Sequence, residues 1–113
     1  MLVKLTKEFP TADWLITTMH SYVQWATSKQ IADFVNLDDG FKNRIGFVLG
    51  YAGRPCVELS YKGRKVRAWY VGHGDISTYT LDMVRNHLIE ADAWLVEINS
   101  KRTLLANTTA AAL

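Results

Sequence analysis

The segment Gly72-His73-Gly74-Asp75 sets an imidazole and a carboxylate two residues apart among glycines, ahead of an expected helix. Glycines let a backbone approach a ligand, a helix N-terminus favours anions, and His73 with Asp75 would serve as base and orienter. The same residues also suit a plain strand-to-helix turn, with glycine supplying positive φ and Asp75 capping the helix. Cys56 is the single cysteine. A Cys56–His73 nucleophile pair competes with the expectation that Cys56 is a small buried strand thiol. His20 falls on the polar side of a first helix, and His87 lies on the flank of a second, so neither reinforces His73. CxxC and HExxH spacings are absent, so no metal site is expected. The sequence also has no Walker loop, dinucleotide fingerprint or GxSxG, and no cofactor is expected. Asp38, Asp39, Asp82, Glu90, Asp92 and Glu97 are scattered, with no pair at a revealing spacing. An enzyme reading therefore rests on His73 and Asp75 alone.

A stronger signal comes just before that loop. Lys65, Arg67 and Trp69 alternate along one stretch, with Lys62 and Arg64 beside a turn; Arg54 and Arg44, on the preceding turn and strand, would extend the patch. Positive charge beside an aromatic plane is what backbone tracking with base stacking needs. It equally suits an acidic protein partner, because Trp and Arg are favoured interface anchors. An ordinary solvated sheet face is the bland alternative, with Glu58 and Arg67 a cross-strand pair and Trp69 under a loop or helix. RNP-like aromatic strings and GxxG loops are absent. Net charge is only +2, yet residues 41–71 hold seven basic residues against Glu58, a balance of +6. The rest of the chain, with six basic and ten acidic residues, stands at −4. Such segregation steers encounter with a partner more than the total does, and the total excludes a strongly acidic DNA mimic.

The elements that must position these residues follow from periodicity. Leu2-Val3-Lys4-Leu5 reads as a short edge strand stopped by Pro10. Thr11 then caps a helix to about Thr27, on Leu15, Met19, Tyr22, Val23 and Ala26 at helical spacing. Ser28 restarts a short helix through Ile31, Phe34 and Val35 to the Asp38-Asp39-Gly40 turn, although 31–37 would also fit a strand. Ile45-Gly46-Phe47-Val48-Leu49 reads as a strand closed by Ala52-Gly53-Arg54-Pro55. Cys56–Tyr61 and Arg64–Val71 flank Lys62-Gly63 as a two-residue hairpin. Its register sets Leu59 against Val66 and Val57 against Ala68 on a core face. Ser60 then meets Lys65, Glu58 meets Arg67 and Cys56 meets Trp69 on a polar, basic and aromatic face. A second long helix is expected from about Thr78 to Ala91, capped by Ser77 or Thr78, with Leu81, Val84, Leu88 and Ala91 buried. Ala93–Asn99 reads as a strand with Trp94, Val96 and Ile98 on one face, and Arg102–Ala106 as its returning partner. Trp14, Trp25 and Trp94 come out core-facing, and Trp69 alone falls on the polar face.

The pattern gives an α+β chain. A mainly antiparallel sheet of about four to six strands would carry two longer helices packed on one face. The 113 residues, 49% apolar and 21% charged, suit a single domain over 1–106 and argue against disorder. The tail 107–113 is expected to fray, and its Ala-Ala-Ala-Leu ending also fits a degradation signal. No apolar run approaches a membrane span and the first residues do not resemble a signal peptide, so no membrane partner is expected. With one cysteine, a reducing, cytoplasmic setting is expected. The leading expectation is a non-enzymatic protein-interaction or inhibitor module of the accessory kind that mobile elements carry, a reading that rests on size. It would bind an acidic protein through Lys62, Arg64, Lys65, Arg67, Trp69, Arg54 and Arg44. The alternatives are single-stranded nucleic-acid or RNA binding through the same face, and a small enzyme using His73 and Asp75. Homo-oligomers would form through the edge strands Leu2–Leu5 and Arg102–Ala106.

Overall fold

A two-residue turn with both residues at positive φ is the anchor of the architecture. Lys62 (φ 52°) and Gly63 (φ 76°) adopt the mirror-image turn whose twist matches that of paired strands. The computed structural model describes residues 11–37 and 42–112; the strand expected at Leu2–Leu5 and the turn Asp38-Asp39-Gly40 lie outside them. In chain order the elements are α1 (Ala12–Met19), β1 (Trp25–Thr27), α2 (Ser28–Phe34), α3 (Lys42–Tyr51), β2 (Cys56–Tyr61), β3 (Arg64–Tyr70) and α4 (Leu81–Ala112). The chain is a small α+β domain. Among the described residues the sheet has three antiparallel strands in the order β1-β3-β2, where four to six were expected.

The hairpin has the register that its turn demands. Leu59 opposes Val66, Val57 opposes Ala68, Glu58 opposes Arg67 and Cys56 opposes Trp69. One face therefore presents Leu59, Ala68 and Tyr70, joined by Trp25 of β1, which pairs with Tyr70. Val84 and Leu88 of α4 close that half of the core. The other face presents Ala26 and Trp69, packed with Leu15 and Met19 of α1, Ile31 of α2, and Ile45 and Leu49 of α3. Helices thus lie on both faces of the sheet rather than on one.

Three expectations of element type change. Thr11 does cap α1, its hydroxyl accepting from the Trp14 N–H at 3.2 Å, but the helix stops at Met19. Residues 25–27 form a strand instead, because pairing with β3 buries Trp25 to 1% exposure. Thr27 then caps α2 through a full capping box with Gln30. Residues 45–49 are helical, within α3, because Ile45 and Leu49 stand one helical turn apart and both reach 0% exposure. The strand pair expected at Ala93–Asn99 and Arg102–Ala106 is a continuation of α4, a 32-residue helix. Val84, Leu88, Ala91 and Leu95 run as one unbroken buried stripe, which carries the helix past Ala93, where the strand was expected to begin. Thr80, rather than Ser77 or Thr78, caps it by accepting from the Met83 N–H at 3.2 Å. The exposed edge expected at Arg102–Ala106 is therefore not an edge strand.

Two polar clamps hold α4 against the rest. Arg102 donates to the carbonyls of Asp33 (2.8 Å) and Phe34 (2.7 Å), satisfying the last turn of α2 and opposing its negative end. Asp92 receives the Tyr61 hydroxyl at 2.5 Å, the Lys62 ammonium at 2.8 Å and the buried Gln30 amide at 2.9 Å. Burial alone would raise the Asp92 carboxyl. The donors of Lys62, Tyr61 and Gln30 outweigh it and hold the group below its usual range. Burial, the bond to Asp92 and its charge together push the Tyr61 hydroxyl well above the usual phenol value. No helix among the described residues is long and apolar enough to cross a membrane.

Candidate binding groove

The polar face of the hairpin is not uniform along its length. At one end α3 crosses over Trp69, leaving the indole 4% exposed with its Nε1–H donating to Ser28 Oγ at 3.1 Å. Gly46 and Gly50, one turn apart on α3, face this ring. A methyl added at either would stand 3.7–3.8 Å from the nearest Trp69 atom, an ordinary contact. Trp69 is accordingly a floor, not a free aromatic plane. Past it the cover ends, and Lys65 and Arg67 project from the same face.

Where covered strand meets uncovered strand, a groove of about 760 Å³ opens. Phe47 and Tyr51 of α3 line one side, although they are 68% and 91% exposed. Lys65, Val66 and Arg67 line the other, with Glu58. Among the described residues neither Lys65 nor Arg67 has an ion-pair or hydrogen-bond partner, and Glu58, though opposite Arg67, is not paired with it. Such a site offers an apolar slot flanked by two cations.

The other expected site residues separate. Lys62 is held at the hairpin tip by Asp92, and Arg64 is exposed beside it. Arg54 donates to the carbonyls of Tyr70 (3.2 Å) and Gly72 (2.7 Å) and lies over the Tyr70 ring, so it locks the end of β3. Arg44 is exposed on α3, which is a helix rather than the expected strand. Phe47, Tyr51, Gly46 and Gly50 escape the sequence reading because a strand over Ile45–Leu49 breaks up the helix that brings them together. The signal that finds them is the spacing of four within each pair, which puts both aromatics on one strip of a helix.

The loop after β3 does not assemble an acid–base pair. Both oxygens of Asp75 are taken by Ser77, through the backbone N–H at 2.9 Å and the hydroxyl at 2.7 Å, and these bonds lower its carboxyl. His73 is exposed and meets His20 edge-on, with ring centroids 5.1 Å apart. His87 accepts the Gln24 N–H on Nδ1 at 3.2 Å, and burial lowers it against a smaller opposing effect of Glu90. Cys56, expected to be buried, is exposed, because β2 is an edge strand and α3 does not cover its first residue. Among the described residues, no three His, Cys, Asp or Glu side chains are grouped to hold a metal ion. Comparison with protein-family models, curated proteins and solved structures finds no match to the chain.

Proposed function

We propose that the chain is a binding module, of the interaction or inhibitor kind, that engages another protein through the groove between α3 and the hairpin. The observation that carries this reading is the juxtaposition of two exposed aromatics, Phe47 and Tyr51, with two unengaged cations, Lys65 and Arg67. Large exposed apolar side chains cost solubility, and interface cores draw on aromatic and Arg anchors. Arg67 and Lys65 would speed encounter with an acidic surface, and the aromatics would hold it.

Capture from a lysate of the source cell, with and without nuclease, tests the reading. The control bait is Phe47→Ala/Arg67→Glu, two positions whose exposure lets the fold survive. Protein partners that persist after nuclease and vanish with the double variant support the proposal. Partners lost on nuclease move the function to nucleic acid, for which Phe47 and Tyr51 would act as stacking surfaces. Identical capture by both baits refutes a role for the groove.

A further inference from the structure

We infer that the groove receives a short acidic polypeptide segment carrying one large apolar side chain. The anchor would enter between the Phe47–Tyr51 strip of α3 and β3 onto the Trp69 floor, with its carboxylates meeting Lys65 and Arg67. This rests on the proposed binding function and specifies what is bound.

Among the described residues Arg64, Lys65 and Arg67 have no ion-pair or hydrogen-bond partner, and of these three only Lys65 and Arg67 line the groove. Arg54, Arg85 and Arg102 each donate to backbone carbonyls, and Arg85 also to Asp82; Lys62 is paired with Asp92. Their positive charge is already used in holding the fold. Lys65 and Arg67 have no such partner among the described residues, yet they stand together at the rim of the groove. Two cations on one strand face, neither in a direct ion pair, beside an apolar slot complement a carboxylate-bearing segment with an apolar anchor.

The floor points to a bulky occupant. Gly46 and Gly50 lie within a helix, where glycine is unfavourable by about 1 kcal/mol relative to alanine. Neither has a positive φ, and an added methyl would only touch Trp69. Local geometry therefore does not require glycine at either position. What the two glycines do is keep the slot one methyl deeper at each point along the indole.

Glu58 favours a segment with spaced charges over one charged at every link. Its carboxylate lines the groove opposite Arg67. A phosphodiester chain running along Lys65 and Arg67 carries a charge at every link and would pass Glu58 closely. A peptide can place an uncharged residue there.

The test is selection of a random displayed dodecapeptide library on the full chain, with affinities of the enriched peptides measured on wild type, Arg67→Glu and Phe47→Ala. The expected consensus has one Trp, Phe, Leu or Ile flanked by Asp or Glu, with binding weakened about tenfold or more by either variant. Binding should also shift the Trp69 indole N–H resonance, assigned with Trp69→Phe. Failure of any peptide to enrich, a neutral or basic consensus, or acidic peptides that ignore Phe47→Ala would overturn the inference. So would oligothymidylate that binds more tightly than the best peptide and depends on the same residues. If lysate capture depends on Phe47 and Arg67 while the selection shows no acidic consensus, the binding function stands and the occupant is wrong. If capture ignores both residues, the binding function itself fails.

Discussion

Replacing Gly46 separates the helix at 42–51 from the strand that the local sequence suggests. Gly46 is the fifth of ten residues in α3 and has no positive φ, so its backbone accepts alanine without strain. The new methyl would lie 3.7 Å from Ser28 Oγ and 3.8 Å from the Trp69 ring, within ordinary contact. Gly46→Ala should therefore stabilise by about 1 kcal/mol, the propensity difference in a helix interior. For a chain of this size that corresponds to roughly 4 °C in Tm. Gly46→Val should gain much less or lose outright: valine gives back about half of that difference in a helix. Its branch methyls would also press beyond the space that one methyl fills. A strand reverses the order, because β-branched residues are favoured there over alanine. Thermal and urea unfolding of the two variants give the ranking. Valine equal to or above alanine would refute both the helix and its seating on Trp69.

The tryptophans should sort by cover rather than by periodicity. Trp69→Ala should cost about 3–5 kcal/mol, whereas Trp14→Ala should cost about 1 kcal/mol or less, because Trp14 is 49% exposed; equal losses in urea unfolding would contradict the packing described. Stability should also fall in two acid steps. Burial lowers His87 in the fold, so the unfolded chain binds the extra proton first and stability declines as pH drops below about 6.5. Asp92 is held ionised, so its contribution is present above the ordinary carboxylate value of about 4 and is lost as pH falls through and below it. In a Tm series against pH, His87→Leu should remove the first step and Asp92→Asn should shrink the second, leaving the part due to Asp75; an unchanged profile in both would refute the assignments.

The hairpin was legible because its determinants are local. Lys62-Gly63 fixes the turn, the turn fixes the register, and the register fixes which side chains share a face. Two of the three changes of element type, those at 45–49 and 93–106, have a common origin in short apolar stretches that satisfy both periods. Trp94, Val96 and Ile98 alternate as in a strand, while Ala91, Leu95 and Ile98 continue the stripe of a helix that meets no Gly or Pro after Gly74. Ile45–Leu49 is a compact run of the same kind, and only the wider window, with Ile45, Val48, Leu49 and Ala52, shows the helical spacing. Read as a strand, this segment puts no aromatic strip beside the hairpin.

Trp69 shows a different limit. Alternation put it on the right face, with Lys65 and Arg67, but a face is not an exposure. β3 rises about 3.3 Å per residue over its seven residues, and a helix lying across it is about 10 Å wide. One crossing helix therefore covers some three residues of the strand and leaves the others bare. Trp69 lies under α3, whereas Arg67 and Lys65, two and four residues earlier on the same face, lie beyond it. The groove is the step between these two conditions, so its existence depends on where α3 crosses. That placement comes from Ile45 and Leu49 packing with Leu15, Ile31 and Trp69, contacts between distant segments that periodicity within β3 does not contain.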